Sequence, residues 1–341
     1  MRKSLFIVLA LFFIMSAAFP QRRALLVGIS NYPVQSGWSH ISSQNDLGIL
    51  NDVLVQRGFS VDILSESDAT FNNITDKLRY LYKNVQKRDT LLIHFSAHGQ
   101  QMLALNDSLE PDGLDESIVP YDACSAYSDL YKGDKHLKDD VLSAFIDSIA
   151  DAIGDGGLVV VSIDACHSDA MNRGVSDRKG DSAIVRGVRD IFDFGMLNPD
   201  KEDSLRNASQ DTVVQIEKNG ADVYYISACR SYEKNYECVI NGIGYGSLSY
   251  CIFDLLNNNA ADLEMKVVLD SLYLKMKKFG KQHMSTRNTI GYYPVEPLLL
   301  KDPIDDSKPP IVVEVIKKYW MAFSAMVIIC ALFLYLIWRK R

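Results

Sequence analysis

Gly157 to Ala170 reads GLVVVSIDACHSDA, a run of apolar and β-branched residues that stops at Asp164-Ala165-Cys166-His167-Ser168. Such a run suits a strand buried on both faces, the normal state of a strand inside a parallel sheet. Open sheets of that kind keep their reactive groups on loops at the carboxyl ends of the strands. A strand over Leu158–Ile163 that hands over to an acid, a thiol, an imidazole and a hydroxyl is therefore a place to look for chemistry.

Outward from that strand the pattern alternates. Strands are expected at Ala24–Ile29, Phe59–Leu64, Thr90–Ser96 and Val223–Ser227. Helices are expected at Asn45–Arg57, with Leu47, Leu50, Val53 and Leu54 on one face, and at Asn73–Val85, with Ile74, Leu78 and Leu81 on one face. Further helices fit Lys138–Ile149, Ser247–Leu256 and Leu263–Lys278, the last two after a Gly-rich turn at Gly242–Gly246. Strand–helix alternation predicts an α/β fold, a mostly parallel sheet with helices on both faces. Residues 169–220 differ. They are polar and carry Arg173, Arg178, Lys179, Arg186 and Arg189 with little apolar periodicity, which suits a long exposed loop inserted in the domain.

The ends of the chain suggest a compartment. Met1-Arg2-Lys3, an apolar stretch and the small residues Ser16-Ala17-Ala18 read as a signal peptide over residues 1–18. Tyr319–Trp338 carries no charged side chain and has aromatic residues at both edges, as a transmembrane helix does. Arg339-Lys340-Arg341 would then be a cytoplasmic tail, residues 301–318 a spacer, and residues 22–300 a domain on the outer side of the membrane. A net charge of −7 gives the chain no electrostatic affinity for nucleic acid, which wants a basic face, so nucleic acid is not an expected partner. Of the six cysteines Cys330 falls in the span, leaving Cys124, Cys166, Cys229, Cys238 and Cys251, an odd number, so at least one thiol stays unpaired.

A cysteine attacks as a thiolate and needs a neighbour that takes its proton. His98, in the loop after the Thr90–Ser96 strand, can supply that to Cys166, and it is preferred to His167, whose side chain diverges from its neighbour's in an extended turn. Gly99 lets the backbone approach a carbonyl, and an N–H beside Cys166 can stabilise an oxyanion. Metal binding by His94, His98, Cys166 and His167 is the rival reading, with no CxxC to accompany it. The turn Gly242-Ile243-Gly244-Tyr245-Gly246 does not match a dinucleotide fingerprint.

Taken in order, the segments Arg23–Ile29 with Asn31-Tyr32, Asn45-Asp46, His94–Gly99, Asp112–Glu116 with Val119–Asp122, Leu137–Asp140, Asp164–Ser168 and Ile226–Cys229 resemble the caspase-like cysteine peptidases, in their metacaspase branch. The resemblance covers most of the chain between the two terminal segments. It implies a caspase-like sheet and peptide-bond hydrolysis, with His98 as general base and Cys166 as nucleophile. It implies protein or peptide substrates cut after Arg or Lys, because Asp46 and Asp164 match the acids that line that family's specificity pocket. A carboxylate pair in a partly desolvated pocket favours a cation, although Asp46 is also well placed to cap a helix. It implies Ca²⁺ as an activator, not as a group needed for the chemistry, with Asp139-Asp140 as ligands and Asp112 as a third. The acid that the family places shortly after the nucleophile has no clear counterpart, since Asp169 comes early and Arg173 stands near its position. Read on its own, Asp139-Asp140 also suits the first turn of a helix. A peptidase of this preference could cut its own loop at Arg173, Arg178, Lys179, Arg186 or Arg189. The competing function is a catalytically silent caspase-like module that binds a partner, and an oxidising compartment could silence Cys166 by pairing it with Cys124 or Cys229.

Overall fold

The run in Gly157–Ala170 forms a central strand of the sheet. In the computed structural model, which describes residues 20–104, 113–166, 184–187, 191–196, 220–230, 233–259, 263–279 and 282–288, β1 (Arg22–Gly28), α1 (Ser43–Gln56), β2 (Ser60–Ser65), α2 (Phe71–Asn84) and β3 (Thr90–Ser96) come first. After β4 (Gly99–Leu103), β5 (Leu114–Ile118) and β6 (Leu137–Lys138) come α3 (Asp139–Ile153), β7 (Leu158–Asp164) and β8 (Asp222–Ser227). The hairpin β9 (Glu237–Ile240) and β10 (Ile243–Gly246), the helices α4 (Ser247–Asn258) and α5 (Met265–Lys277), and β11 (Ser285–Asn288) complete the described order.

Six strands make the main sheet in the order β11-β8-β7-β3-β1-β2, all parallel except β11, which runs against β8. Helices cover both faces, as the alternation predicts. Ile74, Leu78 and Leu81 of α2 and Leu142, Ile146 and Ile149 of α3 pack with Leu25, Ile93 and Val161 on one face. Leu47, Leu50 and Leu54 of α1, Leu248 and Ile252 of α4 and Leu269 and Leu272 of α5 pack with Leu26 and Ile226 on the other. Gly28 lets α1 approach β1, because a β-carbon there would lie 2.7 Å from the Leu47 side chain.

Register places the chemistry. Ser96 at the end of β3 pairs with Asp164 at the end of β7, so both strands stop at one level. His98 and Cys166 each follow two residues later and leave the sheet side by side.

Three expectations change. The small antiparallel sheet β4-β5-β6 has no counterpart in the sequence reading, because its strands are short and polar and carry little alternation. The Gly-rich stretch Gly242–Gly246 is the return arm of a hairpin as well as a turn. The exposed loop read over residues 169–220 is corrected at Ile184–Gly187 and at Ile191-Phe192, where Arg186 and Phe192 are buried and the backbone pairs with other segments. Residues 1–18, 301–318, 319–338 and 339–341 lie outside the described residues, as does most of the 169–220 insertion. Among the described residues no helix is long and apolar enough to cross a membrane.

Candidate active site

His98 and Cys166 are fully buried at the carboxyl end of the sheet. The His98 ring is held at one nitrogen only. Its Nε2–H donates to the Ser39 carbonyl at 2.9 Å, and since a carbonyl only accepts, the neutral ring carries its proton there. Nδ1 is then a bare lone pair, and it has no hydrogen-bond partner. Burial pushes the ring down to about 4, with the Ser39 carbonyl opposing and Arg186 adding to the fall, so His98 is neutral at pH 7.

Cys166 donates its thiol to the Glu233 carbonyl at 3.0 Å. The neighbouring Cys229 thiol is raised well above its ordinary value by a hydrogen bond to Cys166 and by burial. Cys124, Cys166, Cys229, Cys238 and Cys251 are all free thiols in this structure.

At the same end of the sheet lies an acid-lined pocket, and the chain fills it itself. Arg186 is fully buried, with Nη2 at 2.7 Å from Asp46 and 3.0 Å from Glu237, and Nη1 at 3.7 Å from Asp164. Nη1 also donates to Ser96 Oγ at 2.7 Å, and Nε donates to Glu237 Oε1 at 3.2 Å. Three carboxylates from α1, the end of β7 and β9 thus meet one guanidinium, the arrangement that makes a buried charge tolerable. Gly246 closes the pocket, for a β-carbon there would lie 2.2 Å from Asp164 Oδ2 and 2.5 Å from Arg186 Nη1.

The pocket acids are themselves anchored. Asp164 accepts from Asn235 Nδ2 at 2.7 Å and from the Ser249 amide and hydroxyl at 2.7 and 2.6 Å. Burial raises its carboxyl, but Arg186 and these bonds outweigh burial and hold it below the usual range. Asp46 accepts from Ser96 Oγ at 2.7 Å and the Gly246 amide at 2.9 Å. Burial pushes it up to about 6 against the pull of Arg186. It sits in the first turn of α1, whose N-cap is Ser42, so Asp46 does not cap that helix. Glu237 is fixed by the Ser42 amide and hydroxyl, both at 2.6 Å.

The backbone around Arg186 is bound as closely as its side chain. The Arg186 carbonyl accepts from the Cys166 amide at 2.8 Å and from the Gly99 amide at 3.3 Å. Its own amide donates to Asn235 O at 3.0 Å, while Glu237 N donates to Ile184 O at 3.0 Å, an antiparallel pairing that extends the β9 edge. Gly187 follows directly against the thiol-bearing residue. A β-carbon there would lie 2.6 Å from Cys166 O, 3.0 Å from Cys166 Cβ and 3.1 Å from Gly99 O. The Arg186 carbonyl thus lies between two amide N–H groups, its guanidinium fills an acidic pocket, and the next residue is a glycine packed against Cys166.

His94, spaced H-x₃-H from His98, accepts from Ser162 Oγ at 2.6 Å and donates to Ser249 Oγ at 3.1 Å, so it buttresses the Asp164 network instead of ligating a metal. Among the described residues no group of three His, Cys, Asp or Glu side chains could hold a metal ion. Asp139 and Asp140 open α3, and Asp139 has a buried oxygen, Oδ1, with no partner. Burial pushes Asp139 up to about 6. A bare buried carboxylate oxygen beside a second acid fits part of a Ca²⁺ site, which takes six to eight oxygens. Asp112 and His167 lie outside the described residues. Sequence reasoning missed Ser39, Ser96, Asn235, Glu237, Gly246 and Ser249, and it gave Arg186 the opposite environment.

The caspase domain family model matches residues 21–290. The chain belongs to the caspase domain family. It is similar to metacaspase-1 of Schizosaccharomyces pombe, 26% identical over 284 residues that cover 70% of this chain and 60% of the relative. Metacaspase-1 of Mycosarcoma maydis is also 26% identical, over 266 residues covering 70% of this chain and 63% of that protein. The chain thus spans about three fifths of the length of these relatives. A crystal structure of a Geobacter sulfurreducens protein shares the fold, with a TM-score of 0.53 at 18% identity, covering 82% of this chain and 100% of that one.

Proposed function

We propose that this chain is a cysteine endopeptidase that cuts after Arg or Lys, with the Cys166/His98 dyad as its chemistry and its own Arg186–Gly187 bond as its first substrate. His98 Nδ1 takes the Cys166 proton, and the sulfur attacks the carbonyl that the amides of Cys166 and Gly99 polarise. Asp46 and Asp164 select the cation before the cut. The observation that carries the reading is Arg186, whose side chain lies against both acids while its carbonyl takes both amide bonds.

Of the five basic positions at which self-cleavage is expected, Arg186 is the one among the described residues, and its contacts support a cut there. Family membership supports peptidase chemistry, and the acid lining supports the choice of Arg or Lys. Asp139 and Asp140, joined by Asp112, are the groups we assign to an activating Ca²⁺. From the terminal segments we place the domain on the outer, periplasmic or cell-surface side of a membrane, held by a single helix at residues 319–338 with the C-terminus cytoplasmic.

The test is to purify the full chain and its Cys166→Ala variant and assay peptides that present Arg, Lys or Asp before a reporter amine, with and without Ca²⁺. The natural chain should release reporter after Arg and Lys, and its denaturing gel should show a cut at Arg186 that the variant lacks. Release after Asp alone would overturn the pocket assignment. No release and identical gels would favour a silent binding module.

A further inference from the structure

We infer that Trp38 is a positioning residue for the dyad, its indole face holding the imidazolium that His98 becomes when it accepts the Cys166 proton. The inference rests on the peptidase reading above.

The problem it answers is electrostatic. During the reaction the Cys166 S–H proton moves to His98 Nδ1, the sulfur pair forms the S–C bond, and the carbonyl pair moves onto the oxygen held by the Cys166 and Gly99 amides. When that pair returns, the C–N bond breaks and the departing amine takes the Nδ1 proton. From the first transfer to the last the His98 ring is a cation. It is fully buried, and its one hydrogen-bond partner among the described residues is the Ser39 carbonyl. No described carboxylate bonds to it, and Arg186 adds a like charge nearby. A cation so placed needs another source of stabilisation.

Aromatic faces supply it. The Trp38 ring stacks on His98 with centroids 5.0 Å apart and an interplanar angle of 25°. Tyr32 lies 5.3 Å away on a tilt of 46°. Indole attracts a cation more strongly than the other aromatic rings, and desolvation increases the effect. Both rings are tied down. Trp38 Nε1–H donates to the Ala123 carbonyl at 3.0 Å, and Tyr32 donates to the Val119 carbonyl at 3.0 Å while accepting from the His98 amide at 3.1 Å. The titratable and charged groups around the ring are the Tyr32 phenol, raised far above its ordinary range by burial, Arg186, and Cys166 on the adjoining strand end. Glu66 stands behind Tyr32 and accepts from the Ser30 and Asn31 amides at 3.2 and 2.9 Å, which fixes the loop that carries Trp38.

The test uses shape-conserving fluorination. Trp38 is one of three tryptophans, the others being Trp320 and Trp338 in the expected membrane segment, so biosynthetic replacement by fluorotryptophans probes Trp38 alone within the peptidase body. Added fluorine drains the ring face and weakens its hold on a cation. Steady-state kcat/KM on an Arg reporter peptide is then followed against pH, whose acid limb reports protonation of the free base. Losing the face lowers the ring's proton affinity, so the limb should move to lower pH as the plateau drops. We expect a stepwise fall with fluorine count, and for Trp38→Leu about a tenfold loss with the limb about one pH unit lower. Trp38→Phe, which keeps a face and loses the Nε1 bond, should shift far less than Trp38→Leu. A plateau that drops while the limb stays put in the fluorinated series, or activity indifferent to fluorine, would overturn the proposal and leave the peptidase reading standing. Failure of the natural chain to cut any Arg or Lys peptide would instead overturn both.

Discussion

Glu237 reaches the arginine in a way that lysine cannot match. One of its oxygens meets both Nε and Nη2 of Arg186, at 3.2 and 3.0 Å. In lysine the atom at the Nε position is a methylene, so the same carboxylate would keep its Ser42 bonds but lose the charge-assisted Nε bond, at a cost of about 1–3 kcal/mol. Glu237→Gln should therefore lower kcat/KM for Arg peptides about tenfold and leave Lys peptides nearly unchanged. Equal losses on both substrates, measured side by side, would refute that role. Glu237 also illustrates what one sequence cannot announce. Cys166, His98, Asp46 and Asp164 stand in an ordered set of motifs, whereas Glu237 is an acid in a short strand with no local mark of its partner. Arg186 was misread for a related reason. Local polarity is the only signal a loop arginine gives, and the carboxylates that bury it come from α1, the end of β7 and β9.

At the level of elements, long strands and helices were legible because burial on both faces leaves apolar runs and 3.6-residue stripes. The Thr90–Ser96 strand matches its expected bounds, and α1 and α2 begin two residues earlier than expected, at Ser43 and Phe71. The β4-β5-β6 sheet and the β9-β10 hairpin escaped because strands of two to five residues carry too little periodicity. These short pieces nevertheless shape the site, since Ile184–Gly187 is bridged to the start of the β9 arm through Val185 and Tyr236 and to β4 through Gly187 and Gly99. That docking depends on the absence of a side chain at residue 187. Gly187→Ala would force a methyl against the Cys166 and Gly99 carbonyls, which backbone cannot vacate. The expected result is self-cleavage at Arg186 slowed about a hundredfold or more, followed on a gel over time. An unchanged rate would mean that the segment is not cut in this pose.

The whole molecule should lose stability in acid, and the sign follows from its buried rings. Burial pushes His94 and His98 down to about 4 and His136 down to about 3. Unfolded histidines bind protons near 6.5, so between that value and about 4 the unfolded chain holds more protons and stability falls as pH falls. Asp46 and Asp139, pushed up by burial to about 6, work the other way below that pH. Three rings outweigh two carboxyls, and the opposing effect begins only after the histidine loss is under way. Calorimetry should show Tm dropping by several degrees from pH 7 to pH 5, with the slope flattened in His136→Gln. A Tm that rises on acidification would contradict the assignment.

Because occupant and pocket belong to one polypeptide, the encounter between them is unimolecular. Dilution changes nothing for such a pair, while any outside peptide must compete against a tethered rival whose effective concentration is set by the chain and not by the solution. On the proposed self-cleavage the Arg186 clasp would act as a timer: the unlocked share of the population would depend on elapsed time, and crowding more copies onto a surface would not hasten it.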